Sequence, residues 1–243
     1  MALGLKLTPL RFIEVAVLTG LILLNGFATY QRNFVWKDDL TLYTDALQKS
    51  PYKSRSYSSL QVAYMNLGKY REAIEAGKSA VYLDPRNVEA YNNMAAAYGE
   101  LGLYEESIKI LRKILHYIPD YGSAYYNLGL AYLRLNRYEE SSHASRKAIM
   151  LIPDHADAYN NLGVALLKLN RYNEGIEALK KAIAYGPDTL KAYNNLGIAY
   201  MNIGKNEEAV EVLEAALNRK PDYEEARQNL NRALSRLDET RIK

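Results

Sequence analysis

No cysteine occurs among the 243 residues, which removes disulfides, thiolate nucleophiles and zinc-thiolate sites together and leaves the redox compartment open. Phenylalanine and tryptophan are almost as scarce, at 3 and 1 against 22 tyrosines, so tyrosine is the structural aromatic here. It suits positions that want a ring packed inside and a hydroxyl near water. With 7 Pro and 14 Gly the chain is too poor in breakers for a low-complexity linker, and 49% hydrophobic against 24% charged residues argues for a buried core. Charge of one sign is also lacking. A net charge of +3 with scattered basic residues gives no electrostatic footprint for nucleic acid.

What the chain does contain is a ruler. Pro51, Pro85, Pro119, Pro153, Pro187 and Pro221 stand 34 residues apart without a slip. On that ruler Tyr57, Tyr91, Tyr125, Tyr159 and Tyr193 share one column, and Leu60, Met94, Leu128, Leu162 and Leu196 another. A small-residue column reads Gln61, Ala95, Gly129, Gly163 and Gly197, followed by Tyr64, Tyr98, Tyr132, Leu166 and Tyr200. Within each unit the apolar positions recur at helical spacing, break at Gly68, Gly102, Asn136, Asn170 or Gly204, and resume as a second helix. Each unit is therefore a helical hairpin whose small column lets the paired helices approach closely.

Tyr125, Leu128, Gly129, Tyr132, Tyr138, Ala148 and Pro153, with their counterparts in the other units, resemble the tetratricopeptide-repeat pattern over residues 54–221. The resemblance implies an all-α, right-handed superhelix, an α-solenoid, in which five repeats share a continuous interior and recognise partners in a concave groove. Residues 31–53 form a half-repeat carrying Trp36, Tyr43, Ala46 and Pro51 on the second-helix columns. Residues 222–243 form a capping helix and tail, with Arg227 and Asn231 where a further neighbour would need a ring and a small residue.

Residues 1–30 form an apolar N-terminal helix carrying Phe12, Val15, Val17, Leu18, Leu21, Leu23 and Leu24. The uncharged run Val15 to Ala28 is 14 residues, short of the roughly 20 that a bilayer requires; extension from Leu10 to Tyr30 reaches that length by tolerating Arg11 and Glu14. Lys6 and Arg11 favour an inside amino-terminus with the repeats outside, while Gly26, Phe27 and Ala28 have the form of a signal-peptide cleavage site. Membrane anchor, cleaved signal and helix packed on protein all remain open, so the chain is expected at a membrane or outside the cytoplasm. The junction from Tyr30 through Trp36, Lys37 and Asp38 to Pro51 is similar to that of membrane O-mannosyltransferase-like repeat proteins. The multi-pass catalytic domain of such enzymes is missing here, so their transferase activity is not carried over to this chain; an accessory fragment of such a system is the reading left by this likeness.

In tetratricopeptide repeats, positions two, five, six, nine, twelve and thirteen of the first helix face the groove. Position six is Ser59, Asn93, Asn127, Asn161 and Asn195, a column resembling the asparagine ladder of O-GlcNAc transferase, and position five is Ser58, Asn92, Tyr126, Asn160 and Asn194. An amide both donates and accepts, so such a ladder can pair with a peptide backbone. Position nine is Val62, Ala96, Leu130, Val164 and Ile198; position twelve is Met65, Gly99, Leu133, Leu167 and Met201. These mostly apolar positions, without the cations of a carboxylate clamp, suit an apolar or amphipathic helix. The expected partner is thus a protein or peptide. One such helix lies in the chain itself, which raises a second expectation of head-to-tail homo-oligomers, a filament or tube, through the N-terminal helix.

Catalysis finds no site. His116, His143 and His155 fall in no metal-ligand spacing, no nucleophile pairs with a base, and the glycines are absorbed by the repeat. The acidic pairs Glu105 and Glu106, Glu139 and Glu140, and Glu207 and Glu208 open second helices, where carboxylates favour the helix dipole. A non-catalytic scaffold without cofactor or metal is the expectation.

Overall fold

The computed structural model describes residues 9–35 and 37–241. Lys6 and Trp36 lie outside them, and so do the side chains of Arg11, Phe12 and Arg32. The described residues form helices and turns without a strand, and the chain divides into two compact units, Met1–Pro85 and Arg86–Lys243.

The first unit holds α1 (Pro9–Val35), α2 (Asp39–Lys49), α3 (Ser54–Asn66) and α4 (Tyr70–Leu83). Asp38 opens α2 with a reciprocal capping box, its side chain accepting from the Thr41 amide at 2.8 Å while Thr41 Oγ1 accepts from the Asp38 amide at 3.2 Å. The hairpin of α3 and α4 buries Leu60, Ala63, Ile74 and Ala80. Its small column is inverted: Gln61 is fully buried where later repeats have Ala or Gly, and Gly77 on α4 stands where they have Leu or Ser. Bulk has moved from one helix to its partner.

The second unit holds α5 (Val88–Glu100), α6 (Tyr104–Tyr117), α7 (Gly122–Arg134), α8 (Tyr138–Leu151), α9 (Ala156–Lys168), α10 (Tyr172–Tyr185), α11 (Leu190–Asn202), α12 (Asn206–Arg219) and α13 (Glu224–Arg241). These are the expected hairpins followed by one longer closing helix. Within a hairpin the chain reverses at one residue in the left-handed region: Gly102 at φ 75° and Gly204 at 76°, but Asn136 at 58° and Asn170 at 59°. The two asparagines accept from the hydroxyls of Tyr138 and Tyr172 at 2.7 and 2.8 Å, which helps hold a conformation that glycine adopts freely. The prolines sit in the turns after the second helices, where no helical amide is lost.

The first helices α5, α7, α9 and α11, with α13, pack side by side in order, while no second helix touches another among the described residues of this unit. First helices therefore form the inner layer of the stack, and second helices the outer. Ala95, Ala124, Leu111, Ala148, Leu179, Ala182 and Leu213 lie between the layers with essentially no exposure. Two buried serines tie the layers as well: Ser107 Oγ donates to the Ala95 carbonyl at 2.7 Å and Ser141 Oγ to that of Gly129 at 2.8 Å.

Candidate functional site: the inner face of the first helices

The column asparagines lie along the inner layer, and they are joined to one another. Asn127 Nδ2 donates to Asn92 Oδ1 at 2.9 Å, Asn195 to Asn160 at 2.9 Å, and Asn229 of α13 to Asn194 at 2.8 Å. Each bond runs from position six of one repeat to position five of the preceding one, 35 residues apart, so the ladder sews neighbouring first helices together. The series breaks once. Asn161 has Tyr126 at the preceding position five, and its Nδ2, in a side chain only 5% exposed, has no hydrogen-bond partner. The Tyr126 ring instead lies tilted against that of His155, with centroids 4.5 Å apart. Burial raises the Tyr126 hydroxyl above its usual pKa, and the carboxylates of Asp157 and Glu100 add to the shift.

Asn93 is half-buried on α5. Leu130, Leu133 and Val164 are half-buried and available to a ligand, whereas Leu167 packs against the buried cluster of Ile176, Leu179, Leu196 and Ala199. At the closing end Ile198 and Met201 belong to a cluster with Ala226 and Ala233 of α13. Met201 is buried there, and Arg236 donates to its carbonyl at 2.9 Å. The closing helix thus covers the last part of the apolar stripe.

An open recess of about 340 Å³ remains between α5 and α7, lined by Ala95, Ala96, Gly99, Tyr126, Asn127 and Leu130, with Glu100, Tyr104 and Arg134 among its polar groups. Gly99 creates it. A Cβ built there meets nothing within 4 Å, whereas every other repeat has Met or Leu at position twelve. The column of large residues interrupted by Gly99 was the sequence signal for this recess, and Glu100 and Arg134 at position thirteen are the groups that column reading left unnamed. An apolar floor with one carboxylate and one guanidinium at its edge can hold a peptide side chain while its backbone reaches the asparagine amides.

His155 caps α9 by accepting from the Ala158 amide at 3.4 Å, His116 packs edge-on to Tyr117 at 5.2 Å, and His143 is exposed on the outer layer. The acidic pairs occupy the first turns of α6, α8 and α12, and among the described residues no group of three metal-binding side chains occurs.

The N-terminal helix is bare. Val15, Val17, Leu18, Leu21, Leu23 and Leu24 are all at least half exposed, and nothing in its own unit buries any residue from Ile13 to Tyr30. Its hydroxyls are satisfied internally: Thr19 donates to the Val15 carbonyl and Thr29 to that of Asn25, both at 2.7 Å.

Family models described as tetratricopeptide repeat match residues 160–224 and 88–121, one described as TPR repeat matches 63–102, and one for anaphase-promoting complex, cyclosome, subunit 3 matches 112–182. Among solved structures, the MamA protein is 30% identical, with 69% of this chain and 92% of that chain covered and a TM-score of 0.58. MamA from Desulfovibrio magneticus RS-1, from residue 41 onward, is 22% identical, covering 70% and 96% with a TM-score of 0.62. A thermophilic TPR protein of Thermus thermophilus is 23% identical, covering 74% and 98% with a TM-score of 0.63. No curated protein matches the sequence. The matched segments, the register of hairpins and the MamA likeness agree: the chain belongs to the tetratricopeptide-repeat family.

Proposed function

We propose that the protein is a non-catalytic scaffold that binds a polypeptide along the inner face of its first helices and is held at a membrane by α1. The recess at Gly99 carries the binding reading, because it is an unfilled apolar position flanked by Tyr126, Asn127 and Arg134. Gly99→Trp tests it. The open space around this residue lets the substituted helix fold while the indole fills the recess. Peptides selected on the chain from a random library should lose binding to the Gly99→Trp variant by tenfold or more; undiminished binding to a folded variant would overturn the assignment.

The anchor rests on length and exposure. At about 1.5 Å per residue, the apolar stretch Ile13–Tyr30 of 18 residues is about 27 Å long, close to a hydrocarbon core of about 30 Å. A helix with so long an apolar stretch, none of it buried in its own unit, needs lipid or another protein around it.

A further inference from the structure

The outer layer carries a second cleft. Between α8 and α10 lies a space of about 590 Å³ with Leu162, Leu166 and Ala178 in its lining. One repeat earlier the corresponding space, lined by Leu128, Tyr132 and Ala144, is about 340 Å³. The residues correspond at the 34-residue period, so this is one structural position met twice, once with a tyrosine ring in it and once with leucine in the ring's place.

The groups that hold the ring have been kept where the ring has gone. Arg112 Nη2 donates to the Tyr132 hydroxyl at 3.0 Å, and the Arg137 guanidinium lies 4.7 Å over the ring centroid. One period on stand Arg146 and Arg171, with Leu166 offering neither hydroxyl nor π face. Arg171 pairs with Glu174 at 2.7 Å just as Arg137 pairs with Glu140, and Arg146, with no hydroxyl to meet, joins Glu174 at 3.2 Å. One period further the ring returns as Tyr200, and the same column again carries a cation, Lys180, which donates to Glu177 at 3.0 Å. Along the sequence the cation column reads Lys78, Arg112, Arg146 and Lys180 and the ring column Tyr98, Tyr132, Leu166 and Tyr200, so Arg146 alone has no phenol.

We propose that this cleft is a docking site for a tyrosine side chain of a partner polypeptide. The incoming ring lies between Ile149 and Met150 above the buried Leu162 and Leu166, and its hydroxyl accepts from Arg146, released from Glu174, as that of Tyr132 accepts from Arg112. Phenylalanine fills the space without that hydrogen bond, and leucine does neither. The proposal stands on the outer layer alone and does not depend on the inner-face recess.

The probe is acetyl-Gly-Ser-Tyr-Ser-Gly-amide, with counterparts carrying Phe or Leu in place of Tyr, titrated to millimolar concentration against the full chain in lipid nanodiscs. Binding is read from chemical-shift changes of the methyl groups of Ile149 and Met150, which line the cleft and respond to any side chain that enters it. The tyrosine peptide should bind about tenfold more tightly than the phenylalanine peptide, the weight of one charged hydrogen bond. Arg146→Gln should bring the two level, and Leu166→Tyr should abolish binding and raise the melting temperature. Absence of shifts with the tyrosine peptide, equal binding of the leucine peptide, or a folded Leu166→Tyr variant that still binds would each overturn the proposal. Arg146 is exposed, so its variant tests the idea even if Leu166→Tyr fails to fold.

Discussion

Leu179 Cγ lies 2.6 Å from the point where a Cβ on Gly163 would stand, and Leu213 Cγ bears the same relation to Gly197. In both hairpins the first helix gives up its side chain so that a leucine of the second can occupy the gap, with backbone also close at Gly175 O, 3.2 Å away from the Gly163 position. Gly163→Ala should therefore destabilise the fold by about 1–3 kcal/mol, the usual cost of forcing atoms into a packed core. Gly99→Ala, on the open inner face, should stabilise it by up to about 1 kcal/mol through helix propensity alone. Urea unfolding of the two variants checks the contrast; equal effects would mean that the helices are not in the described contact.

The asparagine ladder makes a second contrast. Asn195→Ala strands the Asn160 carbonyl oxygen that it now satisfies, at a cost of about 1–2 kcal/mol. Asn161→Ala removes an amide nitrogen that has no partner, so its cost should be smaller than that of Asn195→Ala although Asn161 holds the same column position and is the more deeply buried. Thermal unfolding of both variants decides, and an equal or larger loss for Asn161→Ala would contradict the break in the ladder.

The ladder also shows where column reading of the sequence stops. Period, hairpins, left-handed turn positions and small column were legible because each repeats at 34 residues and rests on local sterics. The amide bonds run at 35, from one column to its neighbour in the next repeat, so no single column displays them. Likewise the covering of Met201 by α13 depends on a helix outside the repeat pattern, and the inversion of Gln61 with Gly77 can be seen only when two helices are compared. Gly99 and Leu166, by contrast, were in plain view as odd members of their columns; what the sequence could not supply was the empty volume beside each.

Tyr126 gives the fold an alkaline limit. Its proton is held more tightly in the folded chain than in the unfolded one, by burial first and then by Asp157 and Glu100. Its contribution to stability is therefore complete below about pH 10, the ordinary tyrosine value, and is lost as pH rises from there through the raised folded value. Tyr121 and Tyr223 shift in the same direction, chiefly through burial. Above about pH 10 the melting temperature of Tyr126→Phe should fall less steeply than that of the parent chain. Identical slopes would show that this hydroxyl is not buried.

Leu21 and Leu24 lie within the apolar stretch of α1 and are exposed by half or more of their surface. A cation at the centre of a spanning helix costs about 2.5–3.5 kcal/mol on insertion scales. Leu21→Arg combined with Leu24→Arg should move the protein from the carbonate-resistant membrane fraction to the soluble one while leaving the melting of the repeats unchanged. Retention of the double variant in the membrane would exclude α1 as the anchor.

The scaffold reading predicts where a bound polypeptide must lie. With a photoreactive benzoyl-phenylalanine at Leu130, beside the Gly99 recess, a selected peptide should crosslink efficiently, and the crosslink should disappear in the Gly99→Trp background. The same probe at Asp154, on the exposed turn after α8, should give none. Crosslinking at Asp154 but not at Leu130, or at Leu130 regardless of Gly99→Trp, would contradict an inner-face binding site.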